Sequence, residues 1–284
     1  MFDIILAESA GFCMGVKNAF DKTLEIAKDY PQTVILGDIV HNRFAINEIE
    51  KSGLIVVENV DEILNDTEIK NVIIRAHGIT LKTYKRLEDA GKKIFDLTCP
   101  IVKKVQLLTK QLSDANHDII IFGKKDHPEV MGICGYCSTE FVIVSSEDEA
   151  KELSKQLQSP VLISQTTMNV EHFERIQNIL QLTYPNLTVH NTLCRNPQRT
   201  QEAALKLAEQ VDLAIVIGDK KSSNTHSLYE RMSTKVKTLF IEYPNEIVSF
   251  DKSIKSIGLT AGSSTPNFQI NAVIERLREL QNNV

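Results

Sequence analysis

The sequence predicts an α/β protein made of three similar α/β units arranged around a pseudo-threefold axis. Short β-rich apolar runs alternate with segments of helical period along the 284 residues, which favours largely parallel sheets. Three of the five cysteines each follow a predicted strand and open a predicted helix. Polar residues recur at similar distances beyond these cysteines, which indicates an internal repeat of about 90 residues.

The first unit shows the alternation most clearly. A strand at Val34 to Leu36 precedes a helical segment at Phe44 to Lys51, and a strand at Leu54 to Val57 follows Gly53. We expect unit boundaries that give 13–98, 99–190 and 191–284, with the N-terminal strand within 1–12 joining the third unit.

Each of the three repeated cysteines stands at a predicted junction between a strand and a helix. The preceding apolar runs are Ile4 to Ala7 for Cys13, Ile94 to Leu97 for Cys99 and Leu187 to Val189 for Cys194. Pro100 suits the first turn of the second helix. Asn196 and Pro197 predict the cap and first turn of the third.

Two polar loops recur in each unit after these cysteines. The residue 28 positions beyond each Cys is His41, His127 and Ser222 in turn. Loops centred on His77, Thr166 and Ser264 follow the same cysteines after 64, 67 and 70 residues. Because ligands bind at the carboxyl edge of open α/β sheets, we expect these loops to surround a pocket for an oxyanion, with the cysteines at its axis.

Composition excludes several classes of function. The net charge is −5 and no basic block is concentrated in the chain, so nucleic acid is not an expected partner. Apolar runs such as Ile119 to Phe122 are far too short for a membrane helix, and no signal sequence precedes Glu8, so we expect a cytoplasmic protein. The odd, widely spaced cysteines favour reduced thiols over a disulfide scaffold.

Three converging thiolates admit two kinds of metal centre. They could bind zinc with an open fourth position, or an iron–sulfur cluster in which one iron has no protein ligand. Three ordinary buried cysteines in a triplicated fold remain the alternative. Glu129, the only carboxylate of the polar set, is the candidate proton donor or acceptor.

Cys134 and Cys137 form a separate CxxC sequence. A zinc site would need a second pair of ligands, and a thioredoxin-like motif would place the first Cys at a helix start. We therefore interpret both as structural thiols.

Eight short motifs, in order over essentially the whole chain, resemble those of the 4-hydroxy-3-methylbut-2-enyl diphosphate reductase family. They are Gly11-Phe12-Cys13-Met14-Gly15-Val16, Val40-His41-Asn42-Arg43, Ala76-His77-Gly78, Asp96-Leu97-Thr98-Cys99-Pro100, His127-Pro128-Glu129-Val130, Gln165-Thr166-Thr167, Ser222-Ser223-Asn224 and Thr260-Ala261-Gly262-Ser263-Ser264. The serine loop departs slightly from the family pattern, and Ser264, which precedes Thr265-Pro266, takes the binding role.

The resemblance implies an enzyme of the non-mevalonate (methylerythritol phosphate) isoprenoid pathway. It implies a [4Fe-4S] cluster held by Cys13, Cys99 and Cys194 with one open iron. The implied reaction is the reductive dehydroxylation of an allylic diphosphate to isopentenyl and dimethylallyl diphosphate. The implied substrate contacts are His41, His77, His127, Ser222, Ser223, Asn224 and Ser264, with Thr166 and Glu129 near the hydroxymethyl end.

Two further expectations concern the electron source and the rival function. No GxGxxG sequence opens a helix, so we expect electrons from a ferredoxin or flavodoxin and not from a directly bound nicotinamide. The alternative function is a zinc-dependent hydrolase that acts on a phosphorylated small molecule with Glu129 as its base.

Overall fold

The protein was analysed as a computed structural model that describes residues 2–40, 42–220, 222–251 and 253–282, with only the backbone of Ser223. The strands are β1 Asp3–Leu6, β2 Thr33–Leu36, β3 Ile55–Val57, β4 Asn71–Ile74, β5 Lys93–Asp96, β6 Asp118–Phe122, β7 Phe141–Val144, β8 Pro160–Ser164, β9 Thr188–Val189, β10 Leu213–Ile217, β11 Thr238–Ile241 and β12 Ser256–Ala261. The α-helices are α1 Met14–Asp29, α2 Arg43–Lys51, α3 Val60–Asn65, α4 Leu81–Asp89, α5 Pro100–Asp114, α6 Pro128–Cys134, α7 Glu147–Glu152, α8 Val170–Thr183, α9 Arg195–Ala208, α10 Ser223–Ser233 and α11 Asn267–Asn282.

The strands form three four-stranded sheets in which every pairing is parallel. Their orders are β1-β12-β10-β11, β3-β2-β4-β5 and β7-β6-β8-β9. Parallel neighbouring strands need a crossover connection, and a helix lies between consecutive strands of each sheet along the chain. The predicted fold class, an α/β protein with three similar units, is confirmed.

The central strands β6 and β10 are apolar over almost their whole length, and helices pack on both of their faces. In β10, Ile215 packs with α11 on one face, while Ala214 and Val216 pack with α9 and α10 on the other. In β6, Ile120 packs against α8, and Ile121 packs against α5 and α6. This two-sided burial produces continuous apolar runs without alternation, which is the pattern of parallel sheets.

The chain divides into two compact units. Unit one comprises Met1–Asp29, Asp38–Leu54 and Arg195–Val284, and it contains the first sheet with α1, α2, α9, α10 and α11. Unit two comprises Tyr30–Gly37 and Ile55–Cys194, and it contains the other two sheets with α3 to α8. The boundaries predicted at 13–98, 99–190 and 191–284, and the pseudo-threefold axis, stay predictions.

One predicted cap is wrong. Asn196 does not cap the third cysteine-led helix, because α9 already begins at Arg195, directly after Cys194. Asn196 and Pro197 both lie in the first turn, where proline is tolerated because the first backbone N–H groups of a helix have no intrahelical acceptor.

Candidate active site

Cys13, Cys99 and Cys194 each stand directly before a helix, at the starts of α1, α5 and α9. In each case the backbone N–H of the cysteine donates to a carbonyl of a second polar loop that the spacing assigns to another cysteine: the loop of Cys194 for Cys13, that of Cys13 for Cys99 and that of Cys99 for Cys194. The pairs are Cys13 to Ser263 at 3.4 Å, Cys99 to Ala76 at 2.9 Å and Cys194 to Thr166 at 2.7 Å. The repeat predicted from spacing is therefore also a repeat of backbone hydrogen bonding.

The thiols of these three cysteines are chemically suited to soft metals. All five cysteines lie in the described part of the chain and form no disulfide bond, and the three repeated ones are partly exposed. Cys99 and Cys194 belong to unit two and Cys13 to unit one. Among the described residues of either unit, no three Cys, His, Asp or Glu side chains are grouped closely enough to bind a metal ion.

A helix with a polar cap follows the first polar loop in each repeat. Asn42 caps α2, His127 caps α6 and Ser222 caps α10, each by accepting a backbone N–H with its side chain. Of the three residues predicted in these loops, His127 and Ser222 lie at a helix start, and His41 lies outside the described residues. Helix N-termini favour anions through their exposed N–H groups.

Two of the predicted histidines lie together in unit two. The rings of His77 and His127 meet edge to face, with their centroids 5.3 Å apart. His127 Nδ1 accepts the backbone N–H of Glu129 at 3.1 Å. A neutral His127 must then carry its proton on Nε2, so it can present that N–H as a donor to an anion.

Glu129 is buried beside Thr166. Only 1% of Glu129 is exposed, and its Oε1 accepts the backbone N–H of Thr166 at 2.6 Å. Burial raises the pKa of Glu129, and the hydrogen bonds from Thr166 offset this only in part, so the pKa is raised overall. The side chain is thus suited to hold a proton and to donate it.

In unit one the two serine loops are joined to each other. Asn224 Nδ2 donates to Ser263 Oγ at 3.2 Å, and Thr225 Oγ1 donates to Ser222 Oγ at 3.0 Å. A Cβ at Gly262 would lie 2.1 Å from Thr225 Oγ1, so the close approach of these loops requires glycine at 262. Ser222, Asn224 and Ser264 are half-buried, and the Ser223 side chain is not among the described groups.

Sequence reasoning missed the role of Gln165. This residue is 2% exposed; its Oε1 accepts the N–H of Lys124 at 3.1 Å and its Nε2 donates to Thr167 at 3.0 Å. It ties the Gln165-Thr166-Thr167 loop to the segment that leads into α6. The polar loop itself was visible in the sequence, but its partner 41 residues earlier was not.

Cys134 and Cys137 differ from the other three cysteines. Burial raises the pKa of the Cys134 thiol to about 11, and burial with the neighbouring Cys134 raises that of Cys137 to about 12. Both stay protonated near neutral pH, and thiols are poor nucleophiles and metal ligands in that form.

Comparison with known proteins assigns the family. The LytB protein family matches residues 4–278. The chain belongs to this family. A relative from Caldanaerobacter subterraneus subsp. tengcongensis, named 4-hydroxy-3-methylbut-2-enyl diphosphate reductase, is 39% identical over 98% of this chain and 98% of its own length. A relative of the same name from Clostridioides difficile is 36% identical and covers 98% of this chain and 100% of its own length.

Solved structures agree with the LytB assignment. The structure of (E)-4-hydroxy-3-methyl-but-2-enyl diphosphate reductase, described as the terminal enzyme of the non-mevalonate pathway, superposes with a TM-score of 0.80 at 34% identity, over 98% of this chain and 100% of that one. The reductase from Plasmodium falciparum gives a TM-score of 0.82 at 25% identity, over 96% of this chain and 87% of that one. The resemblance stated from the motifs is confirmed. The alternative of a zinc hydrolase is not favoured, because these relatives and solved structures are named as reductases.

Within the four described ranges, no helix is both long enough and apolar enough to cross a bilayer.

Proposed function

We propose that this LytB family member is a 4-hydroxy-3-methylbut-2-enyl diphosphate reductase of the non-mevalonate pathway. The observation that carries the proposal is the threefold repeat in which a cysteine before a helix donates its N–H to a polar loop. Substrate, two electrons and two protons give isopentenyl or dimethylallyl diphosphate and water. One C–O bond breaks, and a new C–H bond forms on the allylic carbons.

The proposed cofactor is a [4Fe-4S] cluster held by Cys13, Cys99 and Cys194. These residues fit such a group, because they are partly exposed thiols without disulfides that occupy equivalent backbone positions. When bound, the cluster supplies single electrons and one Lewis-acidic iron without a protein ligand. Cys134 and Cys137, whose thiol pKa values are raised by burial, are not part of this set.

Glu129 is the proposed proton donor to the departing oxygen. Its Oε1 accepts the Thr166 N–H, so the proton of the neutral acid lies on Oε2. Protonation turns the departing hydroxide into water, a far better leaving group. Thr166 keeps the carboxyl group in place through its N–H and orients the Cys194 amide through its carbonyl.

The proposed diphosphate contacts are the neutral donors that the resemblance implies. Two are histidines, His77 and His127, the latter through its Nε2–H. The others are His41, Ser222, Ser223, Asn224 and Ser264. Neutral donors bind the diphosphate through charge-assisted hydrogen bonds, because the accepting phosphate oxygens are ionised.

The proposed electron donor is a ferredoxin or flavodoxin, since the sequence contains no dinucleotide-binding fingerprint. A cytoplasmic location is part of the proposal and is supported by five cysteines without a disulfide.

Anaerobic purification tests the cofactor proposal directly. We expect brown protein with broad absorbance at about 400 nm and roughly four iron and four sulfide per chain after reconstitution. Colourless protein with stoichiometric zinc and phosphate-releasing activity would contradict the proposal.

A further inference from the structure

A charged group outside the proposed site lies next to Cys99. Asp96 Oδ2 accepts from Lys103 Nζ at 2.8 Å, while Asp96 Oδ1 accepts from both the backbone N–H and the hydroxyl of Thr98, at 3.1 and 2.5 Å. Asp96 ends β5 and Lys103 lies in the first turns of α5. One carboxylate therefore joins the end of the strand, the loop that leads to Cys99 and the helix that follows it.

This ion pair is better shielded than the others in the described chain. The Asp96 side chain is 24% exposed and that of Lys103 is 35% exposed, and no other ion-paired carboxylate among the described residues is as covered. Burial raises the pKa of Asp96, but hydrogen bonds from Lys103 and Thr98 outweigh it and lower the pKa overall. Shielding from solvent strengthens such a pair relative to an exposed one.

Tyr136 brings the CxxC segment to the same lysine. Burial lowers the pKa of Lys103, but Asp96 and then the Tyr136 hydroxyl outweigh it, so that hydroxyl lies close to the ammonium group. Tyr136 is 6% exposed and lies in a turn in which the N–H of Cys137 donates to the carbonyl of Cys134 at 3.0 Å.

The CxxC turn is itself anchored on two sides. Cys134 and Cys137 pack into the apolar core formed by β6, β8, α5 and α6. Between them, Gly135 approaches Thr80, the cap of α4, so closely that a Cβ would lie 2.3 Å from Thr80 Cβ. The thiols thus fill the core, glycine permits the close approach, and the position of Tyr136 is fixed.

We propose that Asp96 and Lys103, supported by Tyr136, are positioning residues for Cys99, and that the CxxC turn serves to hold Tyr136. In this loop the Cys99 N–H donates to the Ala76 carbonyl, and the Cys99 carbonyl accepts the Lys103 N–H, both at 2.9 Å. The role of Cys99 as a cluster ligand rests on the proposed function, whereas the fixing of its backbone does not.

The decisive measurement is amide hydrogen exchange at Cys99 in the protein without iron. Pro100 has no N–H, so the first exchangeable amide of α5 is that of Ile101. Exchange at Cys99 can therefore be distinguished from exchange within the helix. We expect Lys103→Met to accelerate exchange at Cys99 by about tenfold or more, because a charge-assisted bond that holds the loop is lost. Lys103→Arg should restore slow exchange. The matched control is Lys110→Met, which removes the exposed partner of Asp114 on the same helix and should leave Cys99 unchanged.

A second readout uses the iron-loaded protein. Iron release to an excess of a ferrous chelator should be about tenfold faster in Lys103→Met, and faster by a smaller factor in Tyr136→Phe, than in the wild type or in Lys110→Met. If Lys103→Met does not fold, Tyr136→Phe is compared with the wild type by the same exchange measurement, and faster exchange at Cys99 is expected.

Unchanged exchange at Cys99 in the folded Lys103→Met variant, or in Tyr136→Phe if only that variant folds, overturns the positioning role. A wild-type protein that takes up no iron while its Lys103→Met variant shows fast exchange would refute the proposed cofactor and leave the positioning role intact.

Discussion

Thr166 connects Glu129 to Cys194 through its own backbone. Its N–H donates to Glu129 Oε1 at 2.6 Å, and its carbonyl accepts the N–H of Cys194 at 2.7 Å. A proposed proton donor and a proposed metal ligand are thus hydrogen-bonded to the N–H and the carbonyl of one residue. A displacement of the Thr166 backbone would therefore disturb both.

We expect Glu129→Gln to retain cluster and substrate binding but to lose about 100-fold or more in turnover, the usual scale for general acid catalysis. Glutamine keeps the acceptor for the Thr166 N–H but has no acidic proton. Anaerobic steady-state kinetics with iron content as a control measure this loss. Turnover within a factor of about three of the wild type would assign the proton to another route.

The same substitution should change the pH dependence of folding. The folded pKa of Glu129 is raised above its ordinary value near 4.5, so its stabilising contribution is complete below about pH 4 and is lost as the pH rises, because the unfolded chain releases the proton first. Glu129→Gln has no such loss. Denaturant unfolding should therefore show the variant gaining free energy of unfolding relative to the wild type between about pH 4 and pH 8. A difference that is constant over this range would mean that the folded pKa is not raised.

The cysteines should separate into two groups. Cys13→Ser, Cys99→Ser and Cys194→Ser should each abolish activity and greatly lower bound iron, because a hydroxyl is a poor ligand for a soft site. Cys134→Ser and Cys137→Ser serve as matched controls and should spare both, since burial keeps these thiols protonated. Near wild-type iron in all three variants of the first group would refute the ligand assignment.

Loss of a diphosphate contact should weaken binding without affecting the cluster. Asn224→Ala removes a charge-assisted hydrogen bond worth about 1.5 to 3 kcal/mol, so the dissociation constant should rise about 10- to 150-fold. Ser222→Ala should do the same and also cost about 1 kcal/mol of stability, because Ser222 caps α10. Calorimetric titration with unfolding controls separates the two effects. Unchanged affinity in both variants would place the anion elsewhere.

Much of the fold was predictable because the repeat is visible in residue types. Continuous apolar runs identified the parallel strands, and the spacing from Cys13, Cys99 and Cys194 located their polar loops. The start of α9 was misplaced because Asn196 and Pro197 are strong local capping signals, yet Pro197 fits equally well inside the first turn. Local propensity does not distinguish a proline directly after the cap from a proline two residues further into the first turn.

Long-range polar partners could not be predicted. The acceptance of the Thr166 N–H by Glu129 joins residues 37 positions apart, and the bond from Asn224 to Ser263 joins residues 39 apart. Such pairs depend on which strands become neighbours and on the turn that each loop adopts. The sequence could identify the residues of the candidate site but not which of them hold each other.

The most direct test of the central claim is an activity assay of the purified protein under strictly anaerobic conditions. Iron-loaded protein is mixed with (E)-4-hydroxy-3-methylbut-2-enyl diphosphate and reduced methyl viologen, and viologen oxidation and products are followed together. We predict that two electrons are consumed per substrate, that isopentenyl and dimethylallyl diphosphate form, and that Cys99→Ser protein is inactive. Viologen oxidation no faster than with Cys99→Ser, or release of phosphate without electron consumption, would contradict the assignment.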